Sequence, residues 1–123
     1  MNTLNQTINL NQSPVIILVR PQLGENIGAV ARAMLNFDLL DLRIVCPRDG
    51  WPNQNAAAVA SGAGMILENA KIFKSTEEAC ANLNYVFATT ARNRDLAKEI
   101  FSPKSSMIKS RNIINEGQGV GII

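Results

Sequence analysis

Short apolar runs alternate along this chain with stretches whose apolar residues recur at helical spacing, and that alternation restricts the fold most. Val15-Ile16-Ile17-Leu18-Val19 is apolar throughout, as strands covered on both faces are. Beyond the loop Arg20 to Glu25, the positions Ile27, Val30, Ala31, Met34 and Leu35 form an i, i+3, i+4, i+7, i+8 stripe, one face of a helix. Leu42 to Cys46, stopped by Pro47, reads as a second strand, Lys71 to Phe73 as a third and Tyr85 to Thr89 as a fourth. Val120 to Ile123 starts a fifth. Between them, Ala56 to Ala63 is an Ala-rich helix with Gly62 and Gly64 near its end, and Ile66 to Asn69 adds a turn. Ser75-Thr76-Glu77-Glu78 is a capping box ahead of Ala79-Cys80-Ala81. Thr90 to Leu96 is a polar loop, and Ser102-Pro103 opens a helix towards Arg111. Strands alternating with helices predict an α/β fold: a parallel sheet with flanking helices and right-handed crossovers.

A chain of 123 residues has room for one domain. Residues 1–13 hold six Asn or Gln and no Lys or Arg. A signal peptide needs a basic start and an apolar centre. We therefore expect a disordered polar tail over 1–13, a folded domain over 14–123 and a cytoplasmic protein. No apolar stretch approaches the roughly 20 residues that span a bilayer. Cys46 and Cys80 sit among apolar neighbours and are expected to be small buried hydrophobes. The chain has no histidine, which removes a His-based triad and an ordinary zinc site together. No metal is expected.

The helix after the first strand opens with Asn26, Gly28 and Arg32 at N-x-G-x-x-x-R spacing. Residues four apart share a helix face, so Gly28 is expected to uncover the Arg32 guanidinium; a glycine there also permits close helix packing. Asn26 is the expected N-cap. Open α/β sheets bind ligands in the crevice outside the carboxyl ends of their strands, where an uncovered arginine suits a phosphate or a ribose. The G-x-G-x-x-G dinucleotide fingerprint is not met at Gly24-Glu25-Asn26-Ile27-Gly28, and a P-loop G-K-[ST] is absent. Nothing helical follows Gly117-Gln118-Gly119-Val120-Gly121. Net charge is only +2, but Arg92 to Arg111 carries six basic residues against two acidic ones, a local +4 that reads on charge alone first as a solvated loop and helix face and second as a nucleic-acid patch.

Leu18 to Met34 resembles the first motif of the SpoU/TrmH branch of the SPOUT RNA methyltransferases. Asp41 to Pro52, Ala60-Ser61-Gly62-Ala63 and Ala88-Thr89-Thr90-Ala91-Arg92-Asn93-Arg94 follow in the order that family shows. Within the branch, the chain is most similar to the anticodon-loop tRNA (cytidine/uridine-2′-O)-methyltransferases. The resemblance implies transfer of a methyl group from S-adenosylmethionine to a ribose 2′-hydroxyl of tRNA or another structured RNA. It also implies a homodimer whose subunits share each active site. Carried over, Arg32 matches the catalytic arginine and Asn26 its active-site partner. Thr89, Thr90 and Ala91 match the cofactor loop, and Arg92 and Arg94 match arginines that contact tRNA.

Two departures accompany the resemblance. Asp38 stands where the family usually ends its first helix on glycine, so a modest destabilisation is expected. The family's second motif, F-G-x-E-x-x-G-L, would begin after Ile123, so the C-terminal knot segment is expected to be missing and this form to be inactive alone. The alternative reading is a non-catalytic RNA-binding or assembly remnant using Arg92 to Arg111; a third is a small nucleotide-binding module unrelated to methylation.

Overall fold

The computed structural model describes residues 13–90 and 99–123. Five strands, β1 (Val15–Val19), β2 (Leu42–Val45), β3 (Lys71–Phe73), β4 (Tyr85–Phe87) and β5 (Val120–Ile122), form one sheet in the order β3-β2-β1-β5-β4. All four pairings are parallel, and Ile16 to Val19 lie opposite Leu42 to Val45 in register. The expected parallel α/β architecture is therefore present. The order turns at β1, which has β2 on one side and β5 on the other.

Alternate side chains of the central strands feed two cores. On one face Leu42 and Ile44, with Ile16 and Leu18 beside them, pack against α1 (Gly24–Asn36), α2 (Gln54–Ala60) and α3 (Gly64–Glu68). On the other, Val15, Ile17 and Val45 pack around Ala79 of α4 (Thr76–Cys80). The remaining helix, α5 (Pro103–Asn115), carries Lys109, whose Nζ lies 4.6 Å from the Tyr85 ring centroid and 5.0 Å from that of Phe101. Phe87 meets Phe101 edge-on at 5.3 Å.

Helix boundaries follow local chemistry. Ser75 accepts from the Glu78 amide at 3.1 Å, as its capping box requires, and Ser102 accepts from the Ser105 amide at 3.0 Å with Pro103 at the first helical position. The expected Ala-rich helix is interrupted: α2 ends at Ala60, a short 3-10 turn covers Ser61–Ala63, and α3 starts at Gly64. Ser61 has φ of 56°, a value no continuing helix holds.

Both α1 and α5 end in a Schellman motif. In α1 the Asp38 and Leu39 amides donate to Leu35 O and Met34 O; in α5 the Gly117 and Gln118 amides donate to Ile114 O and Ile113 O. The left-handed residue is Asp38 in the first, with φ of 58°, and Gly117 in the second, with φ of 83°. That is the conformation for which the family's glycine is suited.

Three expectations need correcting. The N-cap of α1 is Leu23 and no side chain caps this end, because the helix begins two residues earlier than Asn26. Gly28 is buried, and a Cβ there would collide with the Ala56 carbonyl oxygen and lie 3.1 Å from Ala60 N; its use is close approach of α2, not clearance above Arg32. Cys46 is exposed and its thiol donates to Lys74 O at 3.0 Å, because it lies beyond the last residue of β2 rather than inside the strand.

Candidate active site at the carboxyl end of the sheet

Loops leaving the strands are laced together by backbone hydrogen bonds. Arg20 N donates to Val45 O at 2.7 Å, Cys46 N to Phe73 O at 3.0 Å and Arg48 N to Pro21 O at 3.0 Å. These bonds continue the ladder past the strand ends and turn three loops into one shelf. Arg20 and Cys46, each the first residue after its strand, have positive φ of 50° and 46°. Non-glycine residues held in that region carry strain, and such residues gather at functional sites.

Above β1, α1 brings Asn26 to this edge in its first turn, exposed. Arg32 is also exposed. The two are six positions apart, so a regular helix sets them about 9 Å apart along its axis and roughly 120° apart around it. They do not share a face. Long helical side chains lean towards the N-terminus, the direction that carries the Arg32 guanidinium up towards the Asn26 level. At the other side of the edge, Thr89 follows β4 and clasps the end of β5: its amide and hydroxyl both donate to Ile123 O, each at 2.7 Å. Thr90 is exposed beside it. Asn26, Thr89 and Thr90 thus share the carboxyl edge of the sheet, while Arg32 sits further down the outer side of α1. Ala91, Arg92 and Arg94 lie outside the described residues, as does most of the polar tail expected over 1–13.

An S-adenosylmethionine site can be tested against the described part of this edge. Both Thr89 donors are occupied by Ile123, which leaves its hydroxyl lone pairs and the exposed Thr90 as a polar wall. Hydroxyl groups of this kind can hydrogen-bond a polar ligand.

Sequence reasoning missed the strained Arg20 and Cys46. The Arg20-Pro21 and Cys46-Pro47 pairs mark turns but not the hand of the backbone before them. It also missed Arg43, which is 4% exposed. Its Nη1 donates to Ala79 O at 2.7 Å and to Asn82 Oδ1 at 2.6 Å, and its Nη2 reaches Asp41 Oδ2 at 3.4 Å. A charged residue inside an apolar strand was the available signal. Arg48 and Asp49 form a surface pair at 3.0 Å, which raises the arginine pKa and lowers that of the carboxyl, in each case mainly through their shared hydrogen bond. Of the basic run Arg92 to Arg111, Lys109 stands over aromatic rings, a structural use of its charge. Among the described residues there is no cluster of His, Cys, Asp and Glu able to hold a metal ion, and no helix long and apolar enough to cross a membrane.

A parallel sheet with this shelf, and with an arginine on the helix after its first strand, defines a class, and the sequence agrees: residues 13–120 match the SpoU rRNA Methylase family, to which the chain belongs. The TrmJ crystal structure from Zymomonas mobilis superposes with a TM-score of 0.82 at 52% identity, over 89% of this chain and 48% of that one. The tRNA (cytidine-2'-O-)-methyltransferase TrmJ of Methanocaldococcus jannaschii is 34% identical over 88% of this chain and 46% of its own length. The uncharacterized tRNA/rRNA methyltransferase LasT of Escherichia coli is 44% identical over 64% of this chain and 34% of its own. The chain thus spans less than half the length of these relatives.

Proposed function

We propose that this chain carries the ribose-positioning part of an S-adenosylmethionine-dependent tRNA 2′-O-methyltransferase. The observation that carries the reading is the placement of Asn26, Thr89 and Thr90 on one edge of a SpoU sheet, with exposed Arg32 on the adjoining helix. The names of the relatives support tRNA as substrate and the ribose 2′-hydroxyl as acceptor. S-adenosylmethionine would supply an electrophilic methyl group, held by Thr89, Thr90 and Ala91.

A 2′-hydroxyl must lose its proton as its oxygen gains a carbon. Arg32 does not remove it as a free base, because a guanidinium carries no lone pair to accept a proton. The planar guanidinium donates to the hydroxyl oxygen and a neighbouring phosphate, fixes the angle of attack and stabilises the developing negative charge. The proton leaves by way of that phosphate or a water. Asn26 orients the ribose through its amide, and Arg92 and Arg94 hold the RNA. An enzyme acting on tRNA belongs in the cytoplasm, and its partner is a second copy of the chain, in a homodimer.

The test is methyl transfer from labelled S-adenosylmethionine into tRNA by the chain joined to the C-terminal motifs of a full-length relative, followed by digestion to nucleosides. The expected label lies in 2′-O-methylnucleosides. Label confined to bases would overturn the reading. Salt-dependent tRNA binding without transfer would replace it with that of an RNA-binding module.

A further inference from the structure

The shelf holds a feature that the methyl-transfer chemistry does not use. Arg20 is exposed, and among the described residues it pairs with no carboxylate. Its φ of 50° is one that glycine or asparagine holds more easily. The turn itself therefore gives no reason for an arginine.

The lacing bonds set Arg20 in a row. Val45 O receives the Arg20 amide, Phe73 O receives the Cys46 amide, and Lys74 O receives the Cys46 thiol. Arg20 and Lys74 consequently stand at corresponding places two strands apart, roughly 10 Å at the usual strand spacing, and Lys74 is exposed as well. Arg48 lies in the same shelf, but its charge is balanced by Asp49. Other acids near the row are Glu25, in the first turn of α1, and Glu77 and Glu78, in the first turn of α4 just beyond Lys74. The row leads from the strand that feeds Asn26 towards the β3 edge, away from Thr89.

We propose that Arg20 and Lys74 form a phosphate track, which holds the RNA backbone flanking the target nucleotide and so positions its ribose. The track rests on the proposed tRNA reading and extends the RNA contact beyond Arg92 and Arg94. Arg20 is a positioning residue here, and its strain is the cost of aiming a cation outward from the end of a central strand.

The test is fluorescence anisotropy of the full chain with a labelled tRNA transcript across a salt series, using Arg20→Gly, Arg20→Lys, Lys74→Ala and Lys71→Ala. Lys71 is exposed at the opposite, amino-terminal end of β3 and controls for bulk charge. Arg20→Gly and Lys74→Ala should each weaken binding by up to about eightfold at 0.1 M salt and lower the salt slope by about one. Arg20→Lys should restore the slope, and Lys71→Ala should match the parent. Arg20→Gly should also melt higher, since it removes backbone strain while it loses RNA. If the parent binds tRNA and the Arg20 and Lys74 variants bind equally well, the track is refuted and the tRNA reading stands. If the parent shows no salt-dependent tRNA binding, both fall.

Discussion

Asp38 and Arg43 show how single side chains set the frame on which the shelf rests. Asp38 occupies the left-handed position of a Schellman motif at φ of 58°, a conformation that disfavours side chains with a Cβ. Asp38→Gly should stabilise the protein by about 1 kcal/mol, read as a rise in the thermal midpoint; a fall would mean that the carboxylate has a compensating role. Arg43 ties β2 to the end of α4 through Ala79 O and Asn82. Removing it strands a helix-end carbonyl and opens a cavity, so Arg43→Ala should cost about 3–5 kcal/mol in urea denaturation. A cost under 1 kcal/mol would show that water replaces it. Asp38 was legible in the sequence because the residue after a helix has a known conformational demand. The partners of Arg43 were not, because Ala79 and Asn82 become its neighbours only when the sheet has formed.

At the scale of elements, the strands were the most readable part. Val15 to Val19 and Leu42 to Val45 are apolar on both faces apart from Arg43, and only a central parallel strand requires that. The caps at Ser75 and Ser102 were equally local. The purpose of Gly28 was hidden because i, i+4 spacing relates residues within α1, whereas the collision it avoids involves the backbone of α2. Gly28→Ala therefore sets a gain in helix propensity of about 1 kcal/mol against the separation of two helices. Overpacking should win, with a net loss of about 2 kcal/mol seen in the urea midpoint. A gain in stability would mean that α1 and α2 are less closely packed than the structure has them.

At the scale of the whole molecule, sheet order decides which loops meet. Because β4 runs parallel to β1, two strands away across β5, the loop after β4 comes to the edge that also carries Asn26, and the two motifs, far apart in sequence, share one end of the fold. Spacing within either motif could not show this. Family resemblance could, because it carries the order of strands with it. Arg32 sits further down the outer side of α1 than the edge that holds Thr89, and the proposed chemistry depends on how far its side chain reaches. The most direct measurement is the turnover in methyl transfer to tRNA of Arg32→Ala, made in the chain joined to the C-terminal motifs of a full-length relative and taken beside its melting temperature and tRNA affinity. We expect kcat to fall about 10²- to 10³-fold with melting unchanged and tRNA affinity reduced only slightly; turnover within about twofold of the parent would contradict the role given to Arg32 and the site built around it.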